Sequence, residues 1–138
     1  MIVRIEKSKL AAIINLLYDL PLKGKQSRHR TKFIKLLHER LEEYREDIKQ
    51  LLKEHCNLDE SGEPVVKDDN TYDVKDIEAY IKDKKELDEE EIVIEGGDVQ
   101  GMLKTVKEIL FNCDREFRGE EAMIYDYICE KFEEGEGK

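Results

Sequence analysis

The stretch Ser27–Cys56, SRHRTKFIKLLHERLEEYREDIKQLLKEHC, decides how the chain is read. Within it Ile34, Leu37, Leu41, Tyr44, Ile48 and Leu51 recur at alternating steps of three and four residues, the seam of a heptad pattern. That spacing puts six apolar side chains on one face of a helix, which would run roughly 45 Å from Ser27 to Cys56. Each seam side chain contributes about 1.5–3 kcal/mol when fully buried. So long a helix needs a partner along its length, either the other helices of the chain or a second copy, and both a monomer and a homodimer satisfy this. Ser27, just after a turn at Gly24, is placed as the N-cap.

Working outward, MIVRIE alternates and is rich in branched residues, which predicts a short strand over Ile2–Ile5. Ser8 then caps a helix whose inner face is Leu10, Ile13, Ile14 and Leu17, closed before Pro21. On the far side of the long helix, Gly62, Pro64 and a cluster of Asp and Asn predict a loop with at most a few extended residues around Val65 and Val66, and no repeat is evident along the chain. A modest helix is expected from about Val74 to Leu87 on Ile77, Tyr80 and Ile81, then a strand over Ile92–Ile94 that can pair with the first. Asp98 is placed as the cap of a fourth helix bearing Val99, Met102, Val106, Ile109 and Leu110. A fifth carries Ala122, Tyr125, Ile128, Cys129 and Phe132 to about Glu134. The expected fold is mainly α: a compact bundle of about five helices around a long central helix, with a small two-stranded β-ribbon. One domain is expected over 1–134, with a flexible tail at 135–138.

The chain has 138 residues and a formal charge of -10, from 34 acidic and 24 basic side chains. Such a surface repels phosphates and anionic lipid, so nucleic acid is disfavoured as a partner, and no stretch is long and apolar enough to predict a membrane span. Cys56, Cys113 and Cys129 lack ligand or disulfide spacing and read as reduced thiols of a cytosolic protein. His29, His38 and His55 match no metal motif, and His55 beside Cys56 points about 100° away from it on a helix. Gly-rich phosphate loops and nucleophile elbows are missing from the sequence, so no catalytic, metal or cofactor residue is assigned.

Against this acidity, Leu20–Leu37 carries Lys23, Lys25, Arg28, Arg30, Lys32 and Lys35 and no acid. On a helical wheel Arg28, Lys32 and Lys35 fall within about 40° of one another. With Lys23 and Lys25 they form either a patch for a protein partner or an ordinary solvated face. Arg30 falls opposite, on the apolar seam, where an unpaired charge is costly. It is expected either to bridge helices by pairing with an acid such as Asp19, Asp126 or Glu130, or to send its head to water along a buried stem.

The order of these features, with LKGKQSRHRTKF leading the long helix and YDYICEKF in the last, resembles a family of small uncharacterised proteins. They belong to tailed phages and prophages of Gram-positive bacteria and are catalogued as a domain of unknown function. The resemblance implies phage origin and action in the infected host cytoplasm or in the particle, and it supplies no catalytic residues. The expected function is therefore that of a non-enzymatic protein binding a host or phage protein, such as an inhibitor or trigger of a defence protein. Alternatives are a particle or tail assembly accessory and an acidic mimic of nucleic acid.

Overall fold

The computed structural model describes residues 1–136. In chain order it contains β1 (Val3–Glu6), a 3-10 turn (Lys7–Lys9), α1 (Leu10–Tyr18), α2 (Gly24–His55), α3 (Ile77–Glu89), β2 (Glu91–Ile94), α4 (Gly97–Phe111) and α5 (Gly119–Glu136). The fold is mainly α with one two-stranded antiparallel ribbon, as the periodicities predict. Where the sequence reads as one domain over 1–134, the contacts fall into two compact units, 1–41 with 91–138 and 42–90. The first part of α2 belongs to one and the second part to the other.

In the larger unit β1 and β2 pair with Val3 opposite Ile94 and Ile5 opposite Ile92. Side chains alternate across a strand, so this register puts all four on one face, and all four are buried. α5 makes close approaches to β1, α1 and α4. From α2, Phe33 enters the core and its ring tilts against that of Phe132 on α5, with centroids 5.9 Å apart. Leu10, Ile13, Leu16 and Leu17 form the buried face of α1, with Leu16 in the place expected for the half-buried Ile14. Ser8 sits within the 3-10 turn rather than capping α1. Gly96 is the N-cap of α4 and Asp98 lies in its first turn. α5 continues past Glu134 through a buried Gly135 to Glu136; the rest of the expected tail lies outside the described residues.

The smaller unit is an antiparallel pair, the second part of α2 with α3, joined by residues 56–76. α3 starts later than Val74 because the Asp76 side chain accepts a hydrogen bond from the amide of Ala79 at 3.2 Å and fixes the cap there. The connecting segment is more ordered than a loop. Asn57 N–H donates to Asp73 O at 3.0 Å, Val65 N–H to Asn57 O at 2.9 Å, and Asp73 N–H to Val65 O at 2.9 Å, a closed ring of three bonds. The ring residues stand eight apart, and the same step relates the bridges Cys56 with Val74, Leu58 with Pro64, and Val66 with Tyr72. Gly62 and Asn70, also eight apart, both turn through positive φ, of 84° and 66°. Glycine and asparagine are the residues that take this conformation most readily. The segment thus contains an internal repeat where none was expected.

Candidate functional site

The cationic island occupies the turn before α2 and its first turns. Lys23, Lys25, Arg28, Lys32 and Lys35 are all exposed, and none forms an ion pair among the described residues. α2 opens at Gly24, so Ser27 lies half-buried inside the first turn and is not the N-cap. This follows from Gly24, whose φ of 62° lets the chain turn sharply into the helix three residues earlier.

Arg30 does bridge elements, but to main-chain oxygens rather than to Asp19, Asp126 or Glu130. Its Nη1 donates to Leu17 O at 2.9 Å, Leu20 O at 2.8 Å and Tyr18 O at 3.4 Å. The last carbonyls of a helix have no intrahelical partner and carry the negative end of its dipole. Leu17 O already accepts from the amide of Leu20 at 3.2 Å, so the guanidinium adds a charged donor there and supplies one to Tyr18 O and Leu20 O just beyond it. Downstream on the seam, Leu37 and Leu41 are buried in the larger unit, and Ile34 is half-buried, its expected place taken by Phe33. In the smaller unit Tyr44 and Leu51 are buried and Ile48 is half-buried, while Leu52, off the strict seam, is also buried.

The smaller unit contains an acidic groove of about 260 Å³ between α2 and α3, with Asp47, Glu54, Asp83, Glu86 and Glu90 on its walls. At one end Tyr44 Oη donates to the Asp88 carboxylate, which also accepts from Lys84 Nζ at 2.6 and 2.8 Å. Burial, and then the Asp88 carboxylate, push the Tyr44 phenol well above its ordinary range. At the other end His55 Nε2 lies 2.8 Å from Asp83 Oδ2, and its ring meets the Tyr80 ring edge-on with centroids 5.9 Å apart. Glu54 completes a cluster there: its carboxylate, the His55 nitrogen and the Asp83 carboxylate offer donor atoms all within 4.8 Å of one another.

In the larger unit a cleft of about 530 Å³ opens between α1 and α5, bringing Leu16 and Met123 beside Glu120 and Glu121. The thiols of Cys129 on α5 and Cys56 in the smaller unit are both pushed up, chiefly by burial. A raised thiol stays protonated near neutrality and is a poor nucleophile.

The sequence profile of the family described as "Protein of unknown function (DUF1617)" matches residues 1–138. The chain belongs to the DUF1617 family. No curated protein and no solved structure matches it. In this DUF1617 protein the segment LKGKQSRHRTKF carries Arg30 and four of the five exposed island residues, Lys23, Lys25, Arg28 and Lys32. The segment YDYICEKF supplies Ile128 and Phe132 to the core and Tyr127, whose hydroxyl accepts from the amide of Glu6 at 2.9 Å. Among the described residues no helix is long and apolar enough to cross a membrane. The sequence alone sets His55 aside for want of a metal motif and gives Glu54 and Asp83 no role. Asp83 stands 28 positions from His55, and only the pairing of α2 with α3 brings them together. The available signal was the antiparallel pairing of two charged helices, which makes His55 and Asp83 neighbours once the connecting segment folds back.

Proposed function

We propose that this DUF1617 protein is a non-enzymatic protein of phage or prophage origin that binds a host or phage protein through charge-sorted surfaces. The observation that supports this most directly is the division of charge between the two units. Residues 42–90 hold 18 of the 34 acidic and 8 of the 24 basic side chains, a balance of -10. The other 89 residues hold 16 of each and balance to zero, although Leu20–Leu37 within them carries six basic residues and no acid. An excess of like charge held close together repels, so concentrating it costs stability and is favoured where a complementary surface answers it.

The partner that fits the smaller unit is a protein with a basic, nucleic-acid-binding surface, such as a host defence protein in the cytoplasm, which the acidic unit engages in place of phosphates. Lys23, Lys25, Arg28, Lys32 and Lys35 supply a second contact of opposite sign. Affinity purification from infected or prophage-bearing cells tests this with two charge-neutralised variants. One replaces Asp68, Asp69, Asp76 and Glu78 by amides, and the other replaces the five island residues by glutamine. A partner held at low salt, released at high salt and lost with the first variant supports the proposal. A partner retained through both changes, or stoichiometric recovery of the protein in purified particles, overturns it; the latter favours the assembly reading.

A further inference from the structure

We infer that Glu54, His55 and Asp83 form a binding site for a divalent transition-metal cation, of the Zn²⁺ or Mn²⁺ class. The donor set is mixed, one imidazole nitrogen and two carboxylates, whose atoms all lie within 4.8 Å of one another. Ligands at right angles on an ion about 2.1 Å away stand about 3.0 Å apart, and opposite ligands about 4.2 Å apart. The separation of 2.8 Å between His55 Nε2 and Asp83 Oδ2 is close to the first of these distances. Glu54 reaches the same point despite being the helical neighbour of His55, because its three side-chain torsions span the 100° between adjacent positions.

Two further features distinguish this cluster from acids scattered over a surface. The His55 ring is oriented by its edge-on contact with Tyr80 and is largely buried, with a side-chain exposure of 18%, so its nitrogen is aimed before any ion arrives. Glu54 and Asp83 also line the groove of about 260 Å³ between α2 and α3, which leaves room for water to complete a coordination shell. Imidazole suits zinc or nickel and carboxylates suit manganese, so this mixed set fits zinc or manganese, whereas magnesium and calcium take oxygen ligands. An ion held here ties α3 to α2 across 28 residues, and it stabilises the folded smaller unit by mass action.

The test uses the tag-free, reduced full chain. Zn²⁺ and Mn²⁺ are titrated calorimetrically, and Mn²⁺ line broadening is followed by NMR. Expected are one bound ion per chain, broadening centred on Glu54, His55 and Asp83, and weak or no binding of Mg²⁺ under the same conditions. Glu54→Gln leaves the His55–Asp83 contact in place and should fold, yet should lower affinity on the order of tenfold; His55→Ala should lower it further. Absence of heat and broadening at millimolar metal overturns the assignment. So does binding that both variants leave unchanged, since the ion is then held elsewhere, and so does a preference for Mg²⁺.

Discussion

A β-carbon added at Gly135 would collide with the carbonyl oxygen of Ile2, lying closer to it than in any real contact of that kind. The last turn of α5 rests directly on the backbone leading into β1, and the amide of Ile2 donates to Gly135 O at 3.4 Å. The obstacle is main chain, which cannot swing aside as a flexible side chain would. Gly135→Ala should therefore destabilise the larger unit by about 1–3 kcal/mol, the usual cost of overpacking. Urea unfolding measures it, and a variant as stable as the parent would show that the close approach does not exist.

Arg30 holds the end of α1 through three carbonyls. Hydrogen bonds to a charged donor are each worth about 1.5–3 kcal/mol, although solvent at this half-buried site reduces the sum. Arg30→Met keeps the stem and removes the donors, so a loss of about 1–3 kcal/mol is expected. Arg30→Lys, a point charge without the planar fork, should recover only part of it. Denaturation midpoints decide the matter. Equal stability of Arg30→Met and the parent would mean that water satisfies those carbonyls just as well.

What could be read in advance follows from how locally each feature is encoded. The branched runs MIVRIE and EIVIE are enough to place both strands, and their pairing follows because two isolated short strands satisfy each other's backbone. The heptad seam located α2 but misjudged its details. Phe33 and Leu52 are buried beside the strict seam, since packing against two separate cores draws on a wider face than a coiled coil uses. Ile77 and Ile81, whose spacing predicts α3, lie within it but are more than half exposed, because the helix faces its partner with Tyr80, Lys84 and Leu87 instead. The eight-residue repeat in 56–76 is not legible in the sequence because it is written in backbone hydrogen bonds and turn positions, not in repeated side chains. Arg30 stands out by its place on the apolar seam, but its acceptors are not legible, since any helix end offers carbonyls and sequence does not say which end is near.

Burial of Cys56 and Cys129 leads to an expectation about thiol chemistry. Both are pushed up chiefly by burial, with Asp73 adding to the effect at Cys56 and Asp126 at Cys129. The thiolate is the reactive species, so at pH 8 both should be alkylated more slowly by iodoacetamide than a free thiol such as glutathione, by about tenfold or more. Denaturant should abolish the difference. Peptide mapping of the labelled sites provides the measurement, and fast labelling of Cys56 in the folded chain would contradict its buried position.

The turns of the repeat carry a pH dependence whose sign is fixed by geometry. Asp59 accepts from Ser61 Oγ at 2.7 Å and from the amides of Ser61 and Glu63, and Asp69 accepts from Thr71 Oγ1 at 2.6 Å and from the Thr71 amide. These bonds favour the ionised carboxylate, with the hydroxyl contribution largest in each case, and both carboxyls are held below their ordinary value. A depressed folded value means that the stabilisation is complete above the unfolded value, about 3.9 for aspartate, and disappears as pH falls through the folded one. The turns should therefore stay intact at pH 5 and loosen only below about pH 3.9. Amide chemical shifts of Ser61, Glu63 and Thr71 followed from pH 6 to pH 2 report this directly, and Asp59→Ala should remove the titration at Ser61 and Glu63 while leaving that at Thr71. Midpoints at or above the ordinary aspartate value would show that the carboxylates are not engaged in the turns.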